Sequence, residues 1–578
     1  MSKEYKVLIN DRNYTSWVFH DMETNTDLLP ETHEQLIKIN PIQHKLFTSD
    51  MIHEDGSLIY SFVRNCTNLA GVLILEKTYG RTENKKRLLY KCIPHDKRIP
   101  FFLVPYDIKV GFQKNLINKY VIFKFDNWNG QFPQGIIQEV LGNVDDLEAF
   151  YEYQLYCRSL HDSMREFIKQ AKYLKNNDDN IKKILNNPCF TIEQRLDEYI
   201  FTIDSQSSTD LDDGFGVTKI DDNCNRLSIY ISNVFFWMET FDMWGSFSER
   251  VATIYLPNYK RPLLPTILSS DLCSLLENQQ RFAFVMDIYV DNSGNILKHD
   301  LKNALIRVKK NWCYEDPKMI AKDKNYNRFL ELTQHIDSNI KDSHDLVTYW
   351  MVQMNKFCGK YMIDEKIGIF RSMFFNVKQN SVLDISNESK ITNLNEDVRR
   401  VITTWSNMSG QYMLYSDNEK LYHDILETRG YIHITSPIRR LVDLLNQLLL
   451  LQRNKMITSL SASAEKFLDR WTSKMDYINT SMRSIRKIQT DCELLQRCHN
   501  DPTIMNRIYS GIVFDKIVKN DGMITYMVFL QELKLLSRVT THVDVDDLSN
   551  VKIQLFLFDE EYNSRKKIRL QIINNHFE

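Results

Sequence analysis

An acidic turn, residues 202–214, directly follows an apolar run and constrains the fold and chemistry of this chain more than any other segment. The apolar residues of 199–203 predict a buried strand, and the Ser/Thr-rich residues after them predict a turn. Four carboxylates fall within this turn, namely Asp204, Asp210, Asp212 and Asp213. Like charges this close raise one another's pKa unless a cation neutralises them. Oxygen-only ligands at this density favour magnesium or manganese over zinc.

Other interpretations of the acidic turn remain open at this point. Such a turn is often only solvated surface. A calcium loop of the EF-hand type fits poorly, because that loop needs a glycine at its sixth position and a glutamate at its twelfth. Gly214 is fifth when counted from Asp210, and no glutamate stands at the required place. The residues alone therefore leave a metal site and a solvated turn as alternatives.

Composition and charge set the class of protein. The chain of 578 residues is long enough for roughly three to five domains, and its 43% hydrophobic and 26% charged residues are ordinary for globular proteins. No apolar run approaches the ~18–20 residues of a membrane span, and the N-terminus has no hydrophobic signal core. Ten cysteines without a paired Cys-x-x-Cys motif predict a reducing compartment, the cytoplasm with the nucleus as the alternative. The net charge of −2 argues against a generic nucleic-acid coating protein but is compatible with a local positive channel.

Short strands separated by polar turns are predicted at both ends of the chain. The predicted strands are 5–10, 71–76, 120–126, 509–514, 525–529 and 552–556. Small β-barrels of the OB or cold-shock type have this pattern and bind single-stranded nucleic acid on aromatic and basic surfaces, although other small β domains share it. Between the two ends, the alternation of Leu227, Ile229 and Ile231 predicts a half-buried strand, and residues 466–497 predict one long helix.

Three strings of this sequence resemble the RNase II/RNase R (RNB) family of exoribonucleases. The first is Thr202-Ile203-Asp204 followed, after a Ser/Thr-rich spacer, by Asp210-Leu211-Asp212-Asp213. The second is the collinear block 255–275, and the third is Tyr431-Ile432-His433-Ile434-Thr435-Ser436-Pro437-Ile438-Arg439-Arg440. Segments 94–100 and 126–142 are similar to the second cold-shock domain of the exosome-type members, and no N-terminal endonuclease domain is expected ahead of them.

The resemblance implies a multidomain α+β architecture. Its expected parts are a first cold-shock-like OB barrel (1–65), a second such barrel (66–147), an α+β RNB catalytic domain (148–500) and a C-terminal OB-fold RNA-binding domain (501–578).

The resemblance also implies roles for individual residues. The four aspartates of the acidic turn would bind Mg²⁺, or Mn²⁺ in its place, and Asp212 would be catalytic by orienting a second metal ion or the attacking water. Arg439 would stabilise the charge that develops on the phosphorus centre, because a guanidinium makes bidentate contacts that lysine cannot. Tyr255 and Tyr314 would stack on RNA bases, Arg440 would be structural or contact an RNA phosphate, and His433 would pack or donate a hydrogen bond.

The sequence departs from the family pattern at a glutamate pair of a helix, where Thr348 and Tyr349 stand, and at 231–233, where Ile-Ser-Asn replaces Ile-Ala-Asp. The resemblance therefore implies an active but divergent 3′→5′ exoribonuclease. It would hydrolyse single-stranded RNA with a free 3′ end processively to nucleoside 5′-monophosphates, either as a monomer or within an RNA-degradation complex, and without contact to a membrane. The alternatives are a weakened RNB-fold RNA-binding or scaffold protein and a metal-dependent phosphodiesterase for another substrate.

Overall fold

The computed structural model describes residues 3–30, 36–82, 86–108, 116–175, 178–372, 398, 401, 410–416, 421–423, 426, 428–519, 521–559 and 566–573. The N-terminal part forms two successive five-stranded sheets joined by a short helix. Their elements are β1 (Glu4–Ile9), β2 (Trp17–Asp21), β3 (Thr26–Leu28), β4 (Met51–His53), β5 (Leu58–Tyr60), α1 (Phe62–Asn65), β6 (Leu69–Arg81), β7 (Leu88–Pro94), β8 (Phe102–Tyr106), β9 (Lys119–Asn127) and β10 (Gln134–Asn143).

Both N-terminal sheets have the strand connectivity of the OB fold, in which the first strand pairs with the second and the fourth. The orders are β3-β2-β1-β4-β5 and β10-β8-β7-β6-β9, and the second sheet closes into a barrel. Alternation along β1 buries Tyr5, Val7 and Ile9 in a core that the two sheets share. The predicted strands 5–10, 71–76 and 120–126 thus correspond to β1, β6 and β9.

The central domain has a seven-stranded sheet with an apolar layer on each face. Its first elements are α2 (Leu147–Cys157), α3 (Arg165–Ala171), α4 (Asp178–Leu185), β11 (Glu193–Arg195), β12 (Ile200–Asp204), β13 (Asp213–Lys219), β14 (Cys224–Ser232), α5 (Phe235–Thr240), β15 (Ile254–Tyr255), β16 (Lys260–Arg261), β17 (Gln280–Asp291), β18 (Ile296–Arg307) and β19 (Lys310–Cys313). The strand order is β11-β18-β17-β14-β13-β12-β19, and β15 and β16 form a separate hairpin.

Helices and small hairpins complete this domain. They are α6 (Pro317–Lys322), α7 (Lys324–Ile336), α8 (Ser343–Asp364), β20 (Ile369–Ser372), β21 (Gln411–Leu414), β22 (Tyr422–His423), β23 (Thr428–Arg429), α9 (Leu441–Arg453), α10 (Ala462–Thr472) and α11 (Met475–Asn500). In the part of the chain that the structure describes, every helix is too short or too polar to pass through a lipid bilayer.

Strand β14 differs from its prediction because the sheet has an apolar layer on each face. Leu227, Ile229 and Ile231 belong to the main core, whereas Tyr230 packs on the opposite face with Ile200 and Val285. The alternation was therefore a correct indication of a strand, but the prediction of a half-buried strand was wrong.

The single helix predicted over 466–497 is two helices, α10 and α11. The break lies at Ser473 and Lys474, where two hydroxyl groups bond to the preceding turn. Thr472 Oγ1 donates to the carbonyl of Leu468 at 2.9 Å, and Ser473 Oγ donates to the carbonyl of Arg470 at 2.9 Å. Such local hydroxyl bonds compete with the continuation of a helix.

The C-terminal part repeats the OB connectivity. After α12 (Thr503–Asn506) come β24 (Ile508–Val518), β25 (Ile524–Leu530), β26 (Leu535–Thr541), β27 (Asn550–Asp559) and β28 (Lys566–Ile572), in the order β26-β25-β24-β27-β28. The predicted multidomain α+β fold with OB-type sheets at both ends is confirmed. The domain boundaries predicted for the four units stay predictions.

Candidate active site

The acidic turn connects β12 to β13, so that Asp204 is the last residue of one strand and Asp213 the first of the next. The segment Leu272–Leu275 holds the turn in place. The backbone N–H of Leu211 donates to Ser274 Oγ at 3.0 Å, and the N–H of Leu275 donates to the carbonyl of Leu211 at 3.0 Å. The 255–275 block therefore supports the turn on which the four aspartates stand.

The segment 433–440 reaches the same place from the far end of the domain. Asp443, in the first turn of α9, accepts the backbone N–H of Ser436 and an N–H of Arg440, both at 2.8 Å. The carbonyl of Arg439 accepts the backbone N–H of Thr253 at 2.9 Å. These contacts fix the conformation from which Arg439 extends towards the acidic turn.

All eight residues that the sequence predicts for the site line one cavity of about 1100 Å³. They are Asp204, Asp210, Asp212, Asp213, Tyr255, Tyr314, Arg439 and Arg440. The solvated-turn interpretation is wrong for Asp212, whose side chain is only 2% exposed. The roles given to the eight residues stay predictions.

Asp212 and Arg439 form an ion pair at the base of the cavity. Arg439 Nε donates to Asp212 Oδ2 at 3.0 Å, and the backbone N–H of Ile438 donates to Asp212 Oδ1 at 3.1 Å. Arg439 Nη2 also donates to Ser436 Oγ at 2.9 Å. Burial raises the pKa of Asp212 to about 6, although the positive charge of Arg439 opposes the rise. The Arg439 side chain remains 45% exposed, which leaves part of its guanidinium open to the cavity.

Asp210 is paired with a residue that sequence reasoning missed. Lys260 Nζ donates to Asp210 Oδ1 and to Thr209 Oγ1, and it lies 3.5 Å from Ser270 Oγ. Lys260 is the cross-strand neighbour of Tyr255 in the β15–β16 hairpin. No local pattern of residues indicates this contact, because Lys260 and Asp210 are 50 positions apart.

Asp204 and Asp213 each keep one carboxylate oxygen without a partner. The Oδ2 atoms of both are buried and accept no hydrogen bond from any residue that the structure describes. Burial raises the pKa of Asp213 well above its ordinary value, and the charges of Asp204 and Asp212 add to this rise. Burial likewise raises the pKa of Asp204.

These two unsatisfied carboxylates fit a divalent cation. Mg²⁺ is commonly held by one or two carboxylates together with substrate phosphates. Within the described ranges, no group of three or more His, Cys, Asp or Glu side chains is arranged to hold a metal ion. The four aspartates are therefore not preformed as one set of ligands, and Asp210 contacts Lys260 instead.

The two predicted stacking residues flank the acidic turn. The backbone N–H of Tyr314 donates to the carbonyl of Asp204 at 3.1 Å, and its ring stacks on His344 at 3.9 Å with an interplanar angle of 5°. One face of the Tyr314 ring is thus already covered. Tyr255 is 44% exposed. Burial raises the pKa of each phenol to about 12, so both rings are neutral near pH 7.

Helix α8 presents an apolar and amide face to the cavity, formed by Val347, Met351 and Asn355. Thr348 and Tyr349 do not line it. Tyr349 lines a separate cavity on another side of the helix, where it packs edge-to-face on Trp350. The departure from the family pattern at 348 and 349 therefore lies outside the cavity lining, because the helix turns successive side chains by about 100°.

His433 lies beside Tyr412, and the role suggested for it stays a prediction. Its Nδ1 lies 2.7 Å from the hydroxyl of Tyr412, and burial lowers the pKa of the imidazole well below its ordinary value. The nearby guanidinium of Arg440 lowers the pKa further. A neutral imidazole held in this way is suited to shaping the cavity.

Two family models match the chain. The RNB domain matches residues 194–336 and 331–454, and the Dis3-like cold-shock domain 2 (CSD2) matches residues 89–153. The exosome complex exonuclease RRP44 of Mus musculus is 21% identical over 474 residues, which are 68% of this chain and 47% of that protein. The chain spans about half the length of the curated relatives it matches, or less.

Solved structures share the fold at low identity. Mycoplasma genitalium RNase R in complex with ribose methylated single-stranded RNA has a TM-score of 0.69 at 17% identity, covering 98% of this chain and 100% of that one. Yeast Ssd1, described as a pseudonuclease, has a TM-score of 0.56 at 12% identity, covering 93% of this chain and 78% of that one. The chain therefore contains an RNB domain over residues 194–454, preceded by a Dis3-like cold-shock domain over residues 89–153.

Proposed function

We propose that this protein is a metal-dependent 3′→5′ exoribonuclease that hydrolyses single-stranded RNA to nucleoside 5′-monophosphates. The proposal rests on the charged side chains that line the cavity. A partly exposed guanidinium, Arg439, faces two buried carboxylates, Asp204 and Asp213, whose free oxygens have no partner among the described residues. Curated relatives named exonucleases support the same reaction class.

In the proposed reaction, water attacks the phosphorus of the last phosphodiester, and the bond from phosphorus to the 3′ oxygen of the penultimate nucleotide breaks. That oxygen takes a proton, and the released nucleotide keeps the phosphate on its 5′ side. Asp204 and Asp213 would hold a Mg²⁺ ion, which supplies Lewis-acid polarisation of the phosphate when it is bound. Arg439 donates its outward N–H groups to the phosphate oxygens as negative charge develops on them. Asp212 acts through Arg439, since both of its oxygens are engaged in fixing the segment that carries it.

Tyr255 and the open face of Tyr314 would stack on the bases of the terminal nucleotides. Stacking on an aromatic ring contributes about 1–3 kcal/mol per base and tolerates every base, which suits processive degradation of any sequence. Discrimination against DNA would come from contacts to the 2′-hydroxyl. The protein would act in a reducing compartment such as the cytoplasm, and it would associate with an RNA-degradation complex.

The proposal is tested with a 5′-labelled single-stranded RNA that has a free 3′ hydroxyl, incubated with protein and Mg²⁺. We expect stepwise shortening from the 3′ end that is lost with EDTA and in Asp204→Asn. Unlabelled RNA added after the start should leave ongoing degradation unchanged if the enzyme is processive. Single-stranded DNA of the same sequence should remain intact. Tight RNA binding without shortening at any Mg²⁺ or Mn²⁺ concentration would contradict the enzyme.

A second candidate, a weakened RNA-binding or scaffold protein, is favoured by one specific observation. Helix α8 presents Val347 and Met351 to the cavity, so the helix contributes no carboxylate at these positions to a metal ion or a terminal ribose. Both candidates are compatible with the fold, which is shared by a ribonuclease and by a protein described as a pseudonuclease. The shortening assay distinguishes them directly.

A further inference from the structure

Lys260 is enclosed by oxygen atoms in the way that a bound cation would be. Its ammonium group contacts Asp210 Oδ1 and Thr209 Oγ1, with Ser270 Oγ at 3.5 Å. Ser270 Oγ in turn lies 3.3 Å from the same oxygen of Asp210. The side chain of Lys260 is 27% exposed and that of Asp210 only 5% exposed, so the pair lies in the wall of the cavity.

The hairpin that carries Lys260 is fixed to the rest of the domain. Arg261, the next residue, is paired with Glu152 of α2 and donates to Asn258 Oδ1 at 2.7 Å. The hydroxyl of Tyr259 also donates to Glu152, at 2.8 Å. Because these contacts anchor the hairpin beside Lys260, the ammonium group is held at Asp210 by the fold as well as by its own ion pair.

The charges of the cavity balance with a single divalent cation. Its four aspartates carry four negative charges when ionised, and Arg439 and Lys260 neutralise two of them through direct contacts. Arg440, which also lines the cavity, is paired with Asp443 and does not enter this balance. Two negative charges remain, and they belong to Asp204 and Asp213, whose free oxygens have no partner among the described residues. One Mg²⁺ ion cancels this remainder, whereas a second would leave the cavity with an excess of positive charge.

We propose that Lys260 occupies, at Asp210, the place that a second divalent cation would otherwise take, so that the cavity binds one metal ion between Asp204 and Asp213. The inference rests on the proposed function only for its consequence in catalysis. Sites with two metal ions bridge the attacking and leaving oxygens with a pair of cations. Here a protein ammonium group and one ion would supply the two positive centres, and Lys260 acts as a positioning residue that holds Asp210 in place.

The number of Mn²⁺ ions bound by the whole chain in the absence of RNA tests the inference. This measurement does not depend on nuclease activity. Electron paramagnetic resonance of free Mn²⁺ during a titration gives the number of ions bound. We expect about one ion for the native protein and about two for Lys260→Met, because removal of the ammonium group exposes Asp210 as a metal ligand. Lys260→Arg, which keeps the positive charge, should stay at about one.

A matched control is Lys516→Met in the C-terminal sheet. Lys516 is paired with Asp544 and is 25% exposed, close to the 27% of Lys260, but it lies outside the cavity. This control should bind the same number of ions as the native protein. Asp204→Asn alone should remove the native ion. The double variant Lys260→Met, Asp204→Asn should still bind an ion at Asp210, with weakened but detectable affinity.

The outcomes separate the inference from the proposed function. Two ions or none on the native protein, or the native number on Lys260→Met, would overturn the inference. A native protein that binds one ion and never shortens RNA would overturn the function and leave the metal count standing. If RNA is shortened, the dependence of rate on Mg²⁺ below saturation should steepen from about first order to about second order in Lys260→Met.

Discussion

At the scale of single residues, the site works through pairing, and Asp212 is the clearest case. An aspartate 2% exposed with both oxygens engaged is poorly placed to bind a metal ion, yet it holds Arg439 and the backbone of Ile438 together. The loss of Arg439 leaves the buried charge of Asp212 without compensation, which is costly.

Arg439→Lys should lower the rate of RNA shortening by about 10²–10³-fold, the usual cost of losing one donor to the charge that develops in a reaction. A lysine can replace the contact to Asp212 but not the simultaneous contact to Ser436 Oγ and the outward N–H groups. Single-turnover shortening measures the rate, and filter binding of RNA should change by less than tenfold. Arg453→Lys, which alters an exposed pair with Glu365, is the control. Equal losses in rate and RNA affinity would contradict a role in the chemical step.

Sequence reasoning succeeded at the residues that lie within its strings. The four aspartates and Arg439 share one cavity because each string is a single turn fixed by its own neighbours, such as Ser274 and Asp443. Sequence reasoning did not identify Lys260, because its role follows only from its contact with Asp210, which lies 50 positions away in the chain. Which carboxylates remain unpaired is likewise a property of the folded site and not of the acidic turn alone.

Asp50 gives a residue-scale prediction about stability. Burial raises its pKa to about 6, while the backbone N–H of Phe47 stabilises the carboxylate by donating to Oδ2 at 2.8 Å. The folded state therefore holds this proton more tightly than the unfolded chain. The associated stability is full below about pH 4 and is lost as the pH rises to about 6.

Asp50→Asn should remove this pH dependence. Above pH 6, the free energy of unfolding of the variant should exceed that of the native protein by up to about 3 kcal/mol, less the cost of a weaker bond from Phe47. Urea unfolding of both proteins between pH 4 and pH 7 checks the difference between them, which cancels the contributions of other groups. Parallel curves at all pH values would rule out a raised pKa at Asp50.

At the scale of elements, the decisive feature is the rotation of α8 about its axis. The sequence predicts this helix correctly, but a shift of a single position moves a side chain by about 100° around the axis. Val347, Met351 and Asn355, spaced by four, face the cavity, whereas Tyr349 faces Trp350 and a different cavity. No local residue pattern fixes that rotation, because α8 carries apolar residues on several sides.

Met351→Glu should therefore strengthen metal binding, and glutamates at 348 and 349 should not. A further carboxylate beside the cavity contributes about 1–4 kcal/mol to binding a cation, which corresponds to at least about a fivefold lower Mg²⁺ requirement. Titration of RNA shortening with Mg²⁺ measures this requirement. The Thr348→Glu, Tyr349→Glu double variant is the control, and we expect it to keep the native Mg²⁺ requirement while losing stability at Trp350. A lower Mg²⁺ requirement in the double variant, with no change in Met351→Glu, would mean that α8 is rotated differently about its axis.

At the scale of the whole molecule, the OB-type sheets at the two ends meet the catalytic domain at one basic junction. A cavity of about 330 Å³ lies there, between His95 of the second sheet, α2, α11 and β28. Arg158 and Lys567 approach the single carboxylate of Asp491 at 3.3 Å and 3.6 Å. Burial lowers the pKa of Lys487, and the charges of Arg158 and Lys567 lower it further. A chain with a net charge of −2 thus concentrates positive charge where its units meet.

This junction is where RNA that reaches past the active cavity should make its phosphate contacts. Lys487→Gln should weaken the binding of long single-stranded RNA and reduce the slope of log affinity against log salt by about 0.7 for each phosphate that the protein no longer neutralises. A tetranucleotide should bind and be cleaved as before, because we expect it to contact only the cavity around Tyr255 and Tyr314. Lys466→Gln, an exposed lysine on α10, controls for a general loss of charge. An equal effect on long and short RNA would show that Lys487 acts on the active cavity, and no effect on either would place the path of the RNA elsewhere on the molecule.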